Sequence, residues 1–393
     1  MKLLIAFLLA VLVFWVQTLM YRRLWNQNLK ASLSFDRDVL YEGQTNELVE
    51  VIENRKYMPI PILQVKFSIT RTFLFEKRNN TNVTDKYYRS DFFTIMPWQK
   101  ITRTYPFVCS KRGFYTTDDL DLICRSFFMN ERMIETRRGS ESVCVLPARI
   151  RHQDLPDEVN NLLGETEKNM RLNEDPFTFA GIRDYQPFDN IRSINWKVTA
   201  RHDNLSVNTF NTTFSKKVVL LLNVEANSMM HAAEIAEWAI KIAAHLASRF
   251  ISSHIPTALY TNGVDISAVR TGIGSAAIAV KNKKDKDATL SYVSMEAGAD
   301  MSHIRAIEVT LARLSYATTS CPFVSLMDER IGKDGQSVEY IVISNYRKKE
   351  ITSRFEALRS GGYSVHFIIP AMYSEEREDE FKAEQYTWWE SKD

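Results

Sequence analysis

The sequence offers few of the residues from which metal and thiol chemistry is built. Across 393 residues there are four cysteines, Cys109, Cys124, Cys144 and Cys321. None stands in a CxxC pair or at ligand spacing from a histidine, which argues against the common zinc frameworks. Two disulfides are allowed by count, but reduced, buried thiols are the expectation. The seven histidines are scattered along the chain. A charge excess is missing too: 50 cations face 48 anions, for a net charge of +2. A chain whose main task is to coat nucleic acid carries a larger positive excess, so nucleic acid is not an expected partner. Motifs of catalysis are absent as well. TGIGS at 271–275 lacks the third glycine and the following helix of a dinucleotide fingerprint. There is no P-loop, no HExxH and no GxSxG elbow. The expectation is a protein that is not an enzyme, with no catalytic residue nominated and no cofactor required.

One long apolar run is present. LLIAFLLAVLVFWVQTLM, Leu3 to Met20, is near the lower length limit for a helix that crosses a bilayer. Trp15, Tyr21 and Trp25 suit an interfacial belt. The run ends in QTLMYRRLW, without the small-residue pattern of a cleavage site, so residues 1–25 are read as an uncleaved transmembrane anchor. Arg22 and Arg23 follow the span. By the positive-inside rule they place the bulk of this single-pass cell-membrane protein in the cytoplasm.

Composition is otherwise globular, 45% hydrophobic and 25% charged, and the length suggests two or three domains. Residues 30–147 carry short alternating runs with turn residues between them, the pattern of an all-β, immunoglobulin-like sandwich. No catalytic grouping stands out there. Residues 148–215 read as a linker and a polar signature segment. From Lys216 to about residue 372 the texture changes. KKVVLLLNV is apolar without interruption, as in a strand buried on both faces. Ile235, Trp238, Ile242, Leu246 and Phe250 then form one helical stripe, as do Ile304, Ile307, Leu311 and Leu314. Strands alternating with helices imply an open, doubly wound α/β domain with a parallel sheet. Within it, Arg270 to Val293 reads as a hairpin with a charged tip. Residues 373–393 form an acidic tail with Tyr386, Trp388 and Trp389, read as a terminal helix or a docking peptide.

The α/β domain invites one metal test. An adhesion-type site on such a fold uses the pattern Asp-x-Ser-x-Ser after the first strand, whose oxygens hold a hard cation. Here the loop holds Asn223, Glu225 and Asn227: oxygens stand at alternate positions, with one carboxylate. This degenerate set is the candidate for Mg binding, and it is the basis of the alternative reading, a metal-dependent hydrolase working at the sheet edge.

The densest polar stretch is GIRDYQPFDNIRSINWKVTARHDNL, from Gly181. Asp189 reads as the N-cap of a helix starting near Asn190. Ile191, Ile194 and Val198 would line one face of it. Arg192 and Trp196 would meet at i and i+4, guanidinium over indole. Arg183 and Arg201 have Asp184, Asp189 and Asp203 as carboxylate partners. Three readings stay open: an arginine-clamped brace between domains, a surface for a partner's acidic groups or phosphates, and catalysis by Asp184 and Asp189 with His202. The signature set is Arg183, Asp184, Tyr185, Asp189, Arg192, Trp196 and Arg201.

The run Gly181-x-Arg183-x-Tyr185-x-Pro187-x-Asp189-x-x-Arg192-x-Ile194-x-Trp196, closing in Ala200-Arg201, resembles the signature of the bacterial domain of unknown function 58 family. KRGFYTTDDLDL resembles that family's Arg-Gly-x-Tyr segment. The chain departs from the pattern at Phe188, where the family has Gly, and at Val198, where it often has Ala. CRSFFMNE stands where Asp-Pro-Phe-Gly is expected. The resemblance implies a membrane anchor, a β-sandwich, the signature and a von Willebrand factor A-like (Rossmann-like) domain. It also implies partnership with a MoxR-type AAA+ ATPase and an unknown client, in assembly or maturation of envelope-associated proteins. The function expected from it is that of a membrane-anchored adaptor or scaffold.

Overall fold

The structure is a computed structural model. It describes the chain apart from residues 1, 76–80, 84–85, 130, 140, 152–154, 172–173, 187–190, 203, 213–216, 226–230, 267–291, 332–337, 347–348, 372–385 and 391–393. Two compact units are present, Met1–Ala148 and Arg149–Asp393.

The first unit opens with helix α1 (Lys2–Leu24), long and apolar enough to cross a membrane. Residues 2–16 are all exposed, but Tyr21 is buried, and so is Trp25 just past the helix end. The strands follow in order: β1 (Leu29–Phe35), β2 (Val39–Tyr41), β3 (Thr45–Asn54), β4 (Ile60–Thr70), β5 (Phe73–Phe75), β6 (Thr81–Val83), β7 (Lys86–Ile95), β8 (Lys100–Cys109), β9 (Gly113–Thr116), β10 (Leu120–Arg125), β11 (Arg132–Arg137) and β12 (Ser142–Leu146). They pair as β1-β3-β8-β5, β11-β10-β4-β7-β6 and β2-β12-β9. Alternation decides which residues face inwards. Leu48 and Ile52 of β3 and Phe107 of β8 meet Val65 and Phe67 of β4, Phe93 and Ile95 of β7, and Leu122 of β10 in one core. The sequence reading of a β-sandwich is thus what the alternation builds. Tyr21 and Trp25 belong to the same core, so the last turn of α1 is packed as part of the sandwich.

The second unit begins with α2 (Asp157–Arg171), β13 (Glu174–Asp184), α3 (Trp196–His202) and β14 (Ser206–Thr212). It continues through β15 (Lys217–Leu222), α4 (Ala232–Ser252), β16 (Thr257–Thr261), β17 (Gly263–Asp265) and β18 (Val293–Gly298). Next come α5 (Met301–Arg313), β19 (Leu314–Thr319), α6 (Phe323–Arg330), β20 (Val338–Ile343), α7 (Lys349–Ser360), β21 (Ser364–Ala371) and β22 (Tyr386–Glu390). The main sheet runs β18-β16-β15-β20-β21-β22, parallel except for β18. Successive residues of β15 feed opposite cores. Val218, Leu220 and Leu222 pack with Trp238, Ile242 and Leu246 of α4 and Ile304, Ile307 and Leu311 of α5. Val219 and Leu221 pack with Phe323 and Leu326 of α6 and Ile351 and Phe355 of α7. The uninterrupted apolar run is therefore explained by helices on both faces. After α7 the chain stops at Gly362, whose φ of +83° is the left-handed conformation that favours glycine, with Tyr363 N–H donating to the Leu358 carbonyl at 3.2 Å.

Three expectations change. Leu314, read as the end of a helical stripe, opens β19, because α5 ends at Arg313. The tail is neither a helix nor a free peptide where it is described. Tyr386, Trp388 and Trp389 form the edge strand β22, with Trp389 fully buried. Trp238 of α4 donates its indole N–H to the Trp389 carbonyl at 2.8 Å, which holds the strand from the helix side. The segment ahead of the signature also contributes structure. Leu155, together with Val159 and Leu163 of α2, joins the core beneath α4, and Arg249 donates to Glu167 at 2.9 Å. The charged hairpin read over Arg270 to Val293 lies outside the described residues except at its final residues.

Candidate functional site

The signature occupies an excursion between two paired strands. β13 and β14 are antiparallel, with Arg183 opposite Val207 and Asp184 opposite Ser206. Between them run a short 3-10 turn, Ile191–Ser193, a single bridge from Ile194 to Val207, and then α3. The helix does not start near Asn190, as the reading of Asp189 as a cap required. It starts at Trp196, and Asn195 supplies the cap: its Oδ1 accepts the Val198 N–H at 3.1 Å. Asn195 is fixed in turn, because its Nδ2 donates to Asn208 on β14 at 2.7 Å and its own N–H donates to the Ser206 carbonyl at 2.8 Å. Thr199 accepts the Ser206 N–H at 3.1 Å, a second tie from α3 to β14.

The later start undoes two expected contacts. Arg192 lies in the 3-10 turn, with the Ile194 bridge between it and Trp196, so the two are not at i and i+4 of one helix. Ile191 is exposed while Ile194 is buried, so they do not share a buried face. Asp189 and the Arg192 side chain lie outside the described residues. The others are on the surface. Arg183, Asp184 and Arg201 are exposed, Tyr185 is half-buried, and Trp196 is 64% exposed. Arg183 donates from Nη1 to the Asp184 carbonyl at 3.1 Å, and Tyr185 is held through its N–H on the Leu205 carbonyl at 2.8 Å. A rigid backbone therefore carries an outward-facing indole and two outward-facing guanidiniums.

A second polar site lies at the carboxyl edge of the main sheet, where the strand order reverses between β15 and β20. This is the position at which open α/β sheets usually bind ligands. Asn223 follows β15 and Ser344 follows β20, and Asn223 Nδ2 donates to Ser344 Oγ at 3.0 Å. Asn262, after β16, places its Nδ2 at 2.9 Å from Asn223 Oδ1 and 3.2 Å from Glu225 Oε1. Asn223 Oδ1 also accepts the Glu225 N–H at 2.9 Å, and Glu225 Oε1 the Phe323 N–H at 3.1 Å. Asn262 Oδ1 accepts the Val224 N–H at 3.0 Å. A cation held by the Asn223 and Glu225 oxygens would need the space that the Asn262 amide fills. It would have one carboxylate among the described residues to neutralise it, so this donor set does not fit a hard divalent ion. Asn227 lies outside the described residues. Among the described residues no three His, Cys, Asp or Glu side chains are grouped closely enough to hold a metal. Cys321, beside this network, is buried, which pushes its thiol pKa up.

A third grouping, absent from the sequence analysis, lies inside the sandwich. Glu50 on β3, Arg89 and Asp91 on β7, and Arg103 and Tyr105 on β8 come together. Tyr105 donates to Glu50 Oε2 at 2.7 Å and lies 3.2 Å from Asp91 Oδ2. Arg89 Nε donates to Asp91 at 2.6 Å with its guanidinium 3.8 Å from the Tyr105 ring centre. Glu50 is 2% exposed, and its Oε1 has no hydrogen-bond partner. Burial pushes its pKa up to about 7, helped by the Asp91 charge and opposed by the Tyr105 hydrogen bond, Arg103 and Arg89. The available signal was parity: Glu50 alternates with Leu48 and Ile52, and Asp91 with Tyr87 and Phe93, all on inward positions.

Comparison with known proteins agrees with the signature. A profile of the family described as "Protein of unknown function DUF58" matches residues 181–266, from the end of β13 to just past β17. The match supports membership of that family. No curated protein matches the chain. Solved structures with similarity include the CARDB domain of a Pyrococcus furiosus protein in complex with di-metal ions, at 13% identity over 30% of this chain and 90% of that one, TM-score 0.21. They also include a type I cohesin–dockerin complex from Clostridium thermocellum, at 12% identity over 30% and 99%, TM-score 0.22. A non-cellulosomal cohesin from Archaeoglobus fulgidus matches at 10% identity over 30% and 91%, TM-score 0.21. The metal ions and the dockerin are features of those proteins.

Proposed function

We propose that this protein is a membrane-anchored, non-enzymatic scaffold whose signature surface engages a protein partner. The observation that carries the reading is the exposure of Trp196 on an element whose backbone is fixed by Asn195, Thr199 and β14. The exposed Trp196 and the exposed Arg183 and Arg201 of the β13–β14 segment are two residue types enriched in binding hot spots. Following the family resemblance, the partner is a MoxR-type AAA+ ATPase, and the work is assembly or maturation of envelope-associated proteins. The anchor is α1, crossing the cell membrane once, with Arg22 and Arg23 on the cytoplasmic side together with the bulk of the chain. The von Willebrand factor A-like label for the second unit belongs to the same proposal. Its support is the parallel sheet with helices on both faces and a polar network at the strand-order reversal. A metal-dependent hydrolase gains no support from the Asn223–Asn262–Glu225 geometry. The test is purification of the full chain from native membranes under mild detergent. An AAA+ ATPase that co-purifies with the parent and is depleted with Trp196→Ala is the expected result; parent protein that brings down no protein partner counts against the reading.

A further inference from the structure

The end of the sandwich that receives α1 carries an unusual amount of exposed apolar surface. The hairpin between β10 and β11 ends in Ser126-Phe127-Phe128-Met129, with Phe127 60%, Phe128 51% and Met129 59% exposed. The tip is built, not frayed. Ser126 is buried, its carbonyl accepts the Met129 N–H at 2.9 Å, and its N–H donates to the Glu131 carbonyl at 3.3 Å. This turn, with Met129 at a φ of 56°, turns three large apolar side chains away from the core. At the same end, Tyr57 and Trp98 are exposed and meet edge to face, ring centres 5.5 Å apart. Their two loops are tied together by Asn54, which donates to the carbonyls of Met58 and Met96 at 2.9 and 3.1 Å.

One contact fixes where the tip stands relative to the anchor. The Phe128 ring lies 5.6 Å from the ring of Phe14, in the middle of the apolar run. From Phe14 to Met20, the last residue of that run, a helix rises about 9 Å. A bilayer that surrounds the helix over Leu3 to Met20 must therefore also surround Phe128. At the base of the hairpin, Arg125 faces Arg132 across the strand pair, and both are exposed. An apolar tip above a pair of cations, beside two amphipathic rings, matches the layering of hydrocarbon, headgroup and interface. The attitude is held rigidly. Tyr21 donates its hydroxyl to the Pro59 carbonyl at 2.9 Å, and Lys56 Nζ donates to the Leu24 and Gln27 carbonyls at 2.9 and 3.0 Å and to that of Trp25.

We infer that this end of the sandwich is seated in the lipid bilayer, with Phe127, Phe128 and Met129 in the outer hydrocarbon next to α1 and Tyr57 and Trp98 in the interface. The occupant of the patch is lipid, because the patch is continuous with a helix whose own side chains need lipid at the same depth. The inference rests on the reading of α1 as a retained anchor.

The full chain is reconstituted in nanodiscs of phosphatidylcholine and phosphatidylglycerol, carrying an environment-sensitive fluorophore on one introduced cysteine. Phe128→Cys tests the tip, Leu12→Cys reports the anchor, and Leu74→Cys, at the far end of the sandwich, is the aqueous control. The four native cysteines are buried, and burial raises the Cys109 and Cys124 pKa values to about 12, so background labelling is low. The expected result is that the label at 128, like that at 12, loses most of its emission to bromines in the upper acyl chain and none to aqueous iodide, with the reverse at 74. Lipid quenching at 12 with iodide quenching at 128 overturns the inference and leaves the anchor standing. Iodide quenching at both positions overturns both.

Discussion

Lys56 donates its ammonium hydrogens to the carbonyl oxygen of Leu24, the last residue of the apolar helix, at 2.9 Å. Two more carbonyls, of Trp25 and Gln27, converge on the same nitrogen. A helix end leaves carbonyls without intrahelical partners, and a cation there also meets the negative end of the helix dipole. A lysine of the loop between β3 and β4 thus joins the anchor to the sandwich. Lys56→Met removes all three bonds while keeping much of the aliphatic stem. It should lower the unfolding free energy of the first unit by about 1–3 kcal/mol, read by denaturant titration in detergent. An unchanged midpoint would show that water serves the carbonyls equally well.

Glu50 makes the first unit sensitive to pH. Its folded pKa of about 7 stands above the reference value of 4.5. Between these values the folded unit keeps a proton that the unfolded chain releases. The stability this group contributes is fully present below pH 4.5 and is lost as pH rises through 7. Glu50→Gln holds the neutral form at every pH. It should leave stability near pH 4 little changed, flatten the decline, and exceed the parent at pH 8 by about 1–3 kcal/mol. Parallel pH–stability curves for the two proteins would contradict the assignment.

Trp389 is a core residue of the second unit. Trp389→Ala should cost about 3–5 kcal/mol, and a chain ending before Tyr386 should lose the edge strand and the cooperative unfolding of that unit. A docking peptide would give the opposite pattern, unchanged stability with lost binding. Circular dichroism during thermal unfolding separates the two.

The Asn262 amide fills the space of a cation between Asn223 and Glu225. Asn262→Asp exchanges that N–H donor for a carboxylate oxygen and creates a two-carboxylate pocket. The variant should be destabilised without metal and regain part of its Tm with millimolar Mg. The parent Tm should not respond. A parent that responds as strongly as the variant would show that the Asn262 amide does not exclude the ion.

Much of the fold could be read from residue patterns, for identifiable reasons. Alternation in β3, and in β4 from Leu63 onwards, and the unbroken apolar run of β15 are set by burial on one or two faces, and burial selects composition directly. The helical stripes of α4 and α5 follow the same rule. The edge strand β22 escaped because five residues after an acidic stretch carry no period of their own; only pairing with β21 makes them a strand. In the signature, local pattern points to Asp189 as the cap. The cap is instead Asn195, held by Asn208 on β14, a contact that no local pattern reveals. Glu50 on β3 is far in sequence from its partners on β7 and β8, so proximity could not be seen, although the parity of Glu50 was visible. Trp196 was identified as a signature residue; that it faces outwards follows from the later start of α3.

The signature surface is the centre of this account. Trp196→Ala should leave stability within about 0.5 kcal/mol of the parent, because the side chain has little to pack against, while reducing partner recovery. A photo-crosslinking amino acid placed at position 196 of the full chain, in native membranes, tests the claim most directly. The expected product is an adduct containing an AAA+ ATPase, weakened by Arg201→Glu. No protein adduct at 196, under conditions where the same probe placed in α1 crosslinks to lipid, would contradict it.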